Sequence, residues 1–235
     1  MLPGPDIIHE CPYCQAQARK ETLMSGNTFG AKTWSDGFWD APMLPSAVRV
    51  TRCPRCRGIF WVKDAKEIGK VPKTTREYVD VTVKRWWWFG TYTENRLVVH
   101  ASPLKKLPML THLDVDGLRQ AVAELPPDPE LFRQRYLRVH LWWRFNDRYR
   151  QEPVKIPTRK EITLNQQNLS TLITLYDPQD EKARWKFAAM LIGLERFGDA
   201  KAIAEMEEDE RLAPLKMKFI EEAELRKSGV FRVEG

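Results

Sequence analysis

At 235 residues, with 43% apolar and 30% charged side chains, the chain has the composition of a globular protein able to bury one medium core or two small ones. Apolar runs are only a few residues long, and the opening "MLPGPDIIHECPYC" has no basic segment leading into an apolar one. This predicts no signal peptide, no membrane span and a cytoplasmic location. The formal charge of +6 is uneven: residues 1–112 hold 17 Lys/Arg against 10 Asp/Glu, and residues 113–235 hold 21 against 22. Four thiolates on one zinc ion would bring the total to about +4, which is not the charge pattern of a dedicated DNA-binding protein.

The four cysteines form two C-x-x-C pairs, "CPYC" at Cys11 and Cys14 and "CPRC" at Cys53 and Cys56. This spacing lets one tight turn aim two sulfurs at one ion, and two such turns complete a tetrahedron, so the pattern predicts one structural zinc. A pair of redox dithiols is the alternative, but no βαβ pattern surrounds either pair. His9 precedes Cys11 by two residues and is read as a surface histidine rather than a ligand. The 38 residues between Cys14 and Cys53 exceed the roughly 15 to 20 of a minimal ribbon, so the insert must fold. In "TWSDGFW", Ser35-Asp36-Gly37 predicts a hairpin turn with Gly37 at positive φ, and Gly26-Asn27 marks another break. A ribbon of three or four short strands follows, with Trp34, Phe38 and Trp39 in its core or at its seam with the helices.

On "CPYC", "LMSGNTFGAKTWSDGFWDAPMLP" and "RCPRCRGIFWVKDAKEIG", residues 7–70 resemble a family of uncharacterised bacterial zinc-ribbon proteins whose C-terminal part is helical-repeat-like. The resemblance reaches more weakly to "LRVHLWWRFNDRYR". It implies a cytoplasmic bacterial protein of unknown activity. Its metal positions map onto Cys11, Cys14, Cys53 and Cys56, and it brings no catalytic residue.

Between 71 and 112, "EYVDVTVK" alternates Val79, Val81 and Val83 with polar residues, as a half-buried strand does. A partner strand is expected over Leu97–Val99 after a turn near Glu94-Asn95. The cluster "RWWWFG" places at least one of Trp86 and Trp88 on the polar side. It serves as cover for the ribbon, as a protein-binding patch, or, with Lys84, Arg85 and Arg96, as a stacking surface for bases. "ASPLKKLPMLT" reads as a linker.

From Leu113 the period becomes helical. Asp114 or Asp116 caps a first helix that Pro126-Pro127 stops, and a second helix is expected from about Asp128 to Arg150. Its apolar residues cover more than half the circumference, which predicts neighbours on two sides. Arg133, His140, Arg144 and Arg148 share the remaining strip, either as a solvated face or as an anionic-partner surface. No nucleophile or orienting carboxylate accompanies His140. In "FAAMLIGLERFGDAKAIA", Ala188, Ala189, Ala200 and Ala204 around a Gly198-Asp199 break resemble one tetratricopeptide unit. "EMEEDE" reads as an exposed turn, and the last helix is expected to end near Gly229.

The sequence therefore predicts an α+β chain: a four-cysteine zinc ribbon of small antiparallel strands over 1–70, an aromatic-rich β/linker segment over 71–112, and an antiparallel helical array over 113–235. The functional expectation is a non-enzymatic zinc-containing interaction or adaptor protein with a protein partner, no membrane and no small-molecule substrate. A nucleic-acid-binding zinc ribbon and a thiol-disulfide oxidoreductase are the rival readings.

Overall fold

The computed structural model describes residues 1–72, 74–85, 90–101, 106–151 and 153–233, with backbone alone over 74–81, 83–85, 90–92 and 95–101. The chain divides into two compact units, Met1–Asn27 with Met43–His112 and Thr28–Pro42 with Leu113–Gly235. Small antiparallel sheets fill the first unit, and six α-helices dominate the second among the described residues.

In the first unit, β1 (Leu2–Pro3), β2 (Asp6–Glu10), β3 (Gln17–Lys20) and β4 (Leu23–Ser25) come from the N-terminal segment. β7 (Val50–Arg52), β8 (Ile59–Trp61), β9 (Lys66–Val71), β10 (Thr74–Arg85) and β11 (Gly90–Ala101) follow the insert that holds β5 (Lys32–Trp34) and β6 (Trp39–Asp40). β2 runs between β3 and β9, while β1 pairs with β4 and β7 with β8, all antiparallel. The core is small: Cys11, Ala18, Cys53, Phe60, Val62, Ala65 and Leu110.

Two expectations for residues 71–112 are corrected. Asp80 pairs with Asn95 and Arg85 with Gly90, so Glu94 and Asn95 lie within a strand and not at a turn. The β alternation that ends at Val83 in the sequence simply resumes after the reversal. Part of the expected linker is pinned to β3: Arg19 N–H donates to Pro108 O at 2.9 Å and Leu110 N–H to Arg19 O at 2.8 Å. Leu110 is 4% exposed, so burial of one leucine and two ladder bonds outweigh the local turn signal of Pro108.

In the second unit the helices are α1 (Val115–Ala123), α2 (Leu131–Asn146), α3 (Arg159–Ile173), α4 (Arg184–Gly193), α5 (Phe197–Glu205) and α6 (Ala213–Glu224). Asp114 caps α1 by accepting from Gly117 N–H at 2.8 Å, and Thr158 with Glu161 forms a reciprocal capping box on α3. α2 ends at Asn146, short of the expected Arg150, and a single tight turn over Asp147–Tyr149 follows. α2 packs against both α1 and α3 and buries Leu137, Val139, Leu141, Trp142 and Phe145, as its broad apolar arc requires. The break between α4 and α5 falls at Leu194–Arg196, with Glu195 in the left-handed region (φ 60°). Gly198 and Asp199 sit inside α5, where Asp199 favours the helix N-terminus.

The last helix ends at Glu224, not near Gly229, and the chain goes on to form β12 (Arg232–Val233). β12 pairs with β5, which pairs with β6. The hairpin Thr28–Pro42, expected inside the ribbon, thus belongs to the helical unit. The reason is a buried polar anchor at its tip. Asp36 is 0% exposed; it accepts from Phe38 N–H at 3.1 Å and Asn146 Nδ2 at 2.8 Å, and pairs with Arg150. Trp143 Nε1 donates to Asp36 O at 3.1 Å. Phe38 packs edge-on to Trp143 at 5.4 Å and lies 4.1 Å under the Arg150 guanidinium. Gly37 (φ +75°) supplies the expected turn. Trp39 is 45% exposed and is not core.

Candidate metal centre

Two matching turns carry the cysteines. After β2, Gln15 N–H donates to Cys11 O at 2.9 Å and Cys11 N–H to Ala16 O at 2.9 Å. After β7, Arg57 N–H donates to Cys53 O at 3.1 Å and Cys53 N–H to Gly58 O at 2.8 Å. Gln15 (φ 58°) and Arg57 (φ 66°) hold the same left-handed position, a conformation few non-glycine residues adopt. This curl turns backbone donors onto sulfur: Tyr13 and Cys14 N–H onto Cys11, Cys56 and Arg55 N–H onto Cys53, and Gly58 N–H onto Cys56. Tyr13 reaches from the first turn to the second, its hydroxyl donating to Ile59 O at 2.9 Å.

The four thiols converge. Cys11 Sγ lies 3.8 Å from Cys56 Sγ and Cys14 Sγ lies 3.7 Å from Cys53 Sγ, with all four sulfurs within 4.8 Å of one another. Sulfurs at the corners of a tetrahedron with metal–sulfur bonds of about 2.3 Å stand about 3.8 Å apart, whereas a disulfide brings them to about 2.05 Å. The cysteines are all free and are positioned to bind a metal ion.

Electrostatics agree with that geometry. Cys11 and Cys53 are buried, Cys14 is half-buried and Cys56 is exposed. Burial, reinforced by neighbouring thiols, pushes Cys11 up to about 12. Burial also acts to raise Cys53, but the N–H groups of Cys56 and Arg55 and hydrogen bonds from Cys11 and Cys56 outweigh it and bring the thiol down to about 7. At Cys56 the N–H of Gly58 opposes the shift, yet burial and the thiols of Cys14 and Cys53 raise it. Thiols shifted in opposite directions within one cluster suit a divalent cation, which favours the thiolate form of its ligands.

His9 is buried in β2 and is absent from the sulfur cluster. Burial and the Lys20 charge lower its pKa, and its 7% exposure shows that it is not the surface residue expected.

The other sequence-predicted site residues within the described part have local partners. Arg133 pairs with Glu130 at 3.1 Å and Arg144 with Asp147 at 3.2 Å. Arg148 donates to Phe145 O at 2.6 Å, approaches Glu161 at 3.7 Å and is only 11% exposed. His140 is stacked between Tyr136 at 4.0 Å and Trp143 at 4.7 Å. Arg133 and Arg144 meet acids three positions away, which a helix brings into reach and a linear charge count ignores, while Arg148 and His140 are engaged by an acid of α3 and by aromatic rings. Trp86 and Trp88 lie outside the described residues. Sequence reading missed the role of Asp36, whose only signal was an acid in an aromatic hairpin, with Asn146 at the end of α2 and Arg150 past the turn that follows it.

Fold and site together define an α+β protein with a four-cysteine metal-binding cluster set in small antiparallel sheets. No helix among the described residues is long and apolar enough to cross a membrane. No protein-family model, no curated protein and no solved structure matches this chain.

Proposed function

We propose that the protein is a non-enzymatic, zinc-stabilised interaction protein. The observation that carries this reading is the closed sulfur set: four thiols at tetrahedral edge distance, Cys11 to Cys56 at 3.8 Å and Cys14 to Cys53 at 3.7 Å. A set of four protein sulfurs leaves no position for water or substrate, and soft thiolates in tetrahedral array select zinc over hard cations. The zinc is structural, supplying folding energy to sheets whose core is otherwise small.

The helical unit supplies the interaction surface. Ala188, Ala200 and Ala204 are at most 1% exposed, α4 packs on α5, and α6 touches both. Small residues at a close crossing, followed by a third helix against the pair, support an antiparallel, tetratricopeptide-like array, an architecture that presents extended surfaces to other proteins.

The test is affinity purification of tagged protein from its own cells, wild type beside Cys53→Ser, together with a mobility-shift titration against single- and double-stranded nucleic acid at low salt. The reading predicts one specific protein partner, lost with Cys53→Ser, and no nucleic-acid shift. Salt-dependent nucleic-acid binding without a protein partner contradicts it.

A further inference from the structure

Helices α1, α2 and α3 enclose an open cleft of about 530 Å³, a volume typical of small-molecule sites. Leu141 and Phe145 of α2 and Leu164 of α3 give it an apolar wall. Asp116 and Arg119, also lining it, neutralise each other at 3.2 Å.

Arg138 is the exception in this lining. Arg148, Arg150 and Arg184 of the same unit are each at most 11% exposed at the side chain, and each faces a carboxylate: Glu161, Asp36 and Glu207 respectively. Arg138 is half-buried, and burial lowers its pKa with no acidic group opposing the shift. Its Nε, like those of Arg150 and Arg184, is closed off from solvent with no hydrogen-bond partner among the described residues, but those two have a carboxylate on their other nitrogens. Its Nη1 reaches only the neutral Asn168 Oδ1, at a long 3.4 Å. Asn168 is in turn fixed by donating through Nδ2 to Arg138 O at 2.9 Å.

A guanidinium partly withdrawn from water with no counter-charge beside it favours an anion, and its planar fork fits a carboxylate or phosphate oxygen pair. One uncompensated cation matches one negative charge. Gln120, Gln167 and Thr171, the remaining polar lining, are neutral, so nothing else is present to balance a dianion.

We propose that the α1–α2–α3 cleft binds a small organic monocarboxylate, its carboxylate on Arg138 and its apolar body against Leu141, Phe145 and Leu164. The site is distinct from the sulfur cluster, lies wholly in the helical unit and adds a small-molecule ligand to a protein whose sequence pointed to none.

The experiment is calorimetric titration of the full-length, metal-loaded protein with benzoate and hexanoate, with their neutral counterparts benzamide and hexanamide, and with inorganic phosphate. The expected result is carboxylate binding at about millimolar Kd or tighter, with the amides and phosphate weaker by at least about tenfold. Arg138→Met is expected to weaken the carboxylates by about the same factor without lowering the thermal midpoint, since it removes an uncompensated charge. Arg211→Met, on an arginine 88% exposed at the side chain, serves as the control and leaves binding unchanged. In the wild type, the Arg138 Nε–H resonance is expected to shift on addition of benzoate and not of benzamide, a readout that needs no variant. Amides binding as tightly as acids, phosphate binding more tightly than the carboxylates, an Arg138→Met variant with wild-type affinity, or no binding by any carboxylate overturns the proposal.

Discussion

Asp36 brings a charge, two acceptor oxygens and a turn into a place with no water. Its partners Asn146 and Arg150 are themselves 4% exposed as a residue and 7% exposed at the side chain, so removing the carboxylate strands both. Breaking a buried pair from one side costs about 3–5 kcal/mol. Asp36→Ala is therefore expected to lower the unfolding free energy of the helical unit by that order, and Asp36→Asn also to destabilise it, since the amide keeps one acceptor oxygen but sets an NH2 against a donor. Urea unfolding followed by tryptophan fluorescence reads it; a change under about 1 kcal/mol shows that the hairpin is held by something else. The Asx turn at Ser35-Asp36-Gly37 was legible in the sequence because it is local. Its burial was not, since Asn146 and Arg150 lie more than a hundred positions away.

Cys53 offers a second test at this scale, with a definite sign. A thiol lowered from its usual value of 9.0 to about 7 favours the metal-free fold above pH 9, and that contribution is lost as pH falls through 7. Metal uptake must displace whatever protons the thiols still hold. At pH 8 Cys53 has already lost its proton, while at pH 6 it has not, so zinc binding should release about one proton fewer at pH 8 than at pH 6. Calorimetry in buffers of different ionisation enthalpy measures the difference; equal release at both values means that no thiol ionises early.

Secondary structure shows where local signals suffice and where they fail. The strand alternation of Val79, Val81 and Val83, the cap at Asp114 and the broad apolar arc of α2 were readable, because each depends on residues within one or two turns of the chain. The break between α4 and α5 was misplaced because glycine was weighted over backbone geometry. Glu195, not Gly198, takes the left-handed conformation, and no residue-type rule marks a glutamate for that role. The terminal strand β12 left no readable trace, being two residues long and meaningful only beside β5. Its anchors are specific: Ser35 N–H donates to Phe231 O at 2.9 Å, and the Phe231 ring lies 5.0 Å from Phe219. Truncation after Gly229 is expected to speed hydrogen exchange at Trp34 and Ser35 while α2 and α3 stay protected. Unchanged exchange there would remove β12 from the fold's support. At the α4–α5 crossing, Ala204 is 0% exposed, and Ala204→Leu should cost about 1–3 kcal/mol through overpacking, read as a lowered denaturant midpoint.

For the whole molecule, the instructive feature is the interleaving of the two units along the chain. The segment between the cysteine pairs leaves the sheet unit at Asn27 and returns at Met43, and its body belongs to the helical unit. A sequence reading that cuts the chain once, between a ribbon and a helical part, has no means of finding this, because burial and not proximity along the chain decides membership. The four ligands were nevertheless legible from spacing alone, since two C-x-x-C turns have few other geometric outcomes. The Arg138 cleft was not, because an unpaired arginine is defined by the acids that fail to reach it. A metal ion on the four cysteines would tie the two turns together around the 38-residue insert, so its removal should release residues at both ends of that insert as well as the small sulfur-lined core.

The central claim is that Cys11, Cys14, Cys53 and Cys56 hold one structural zinc, and the most direct test is metal content measured with thiol reactivity on protein purified without added metal. The expected result is one zinc per chain, four thiols silent toward a disulfide reagent until a strong chelator is added, and loss of ribbon structure when the metal leaves. Metal-free protein with a native fold and four freely reactive thiols, or iron in place of zinc, contradicts it.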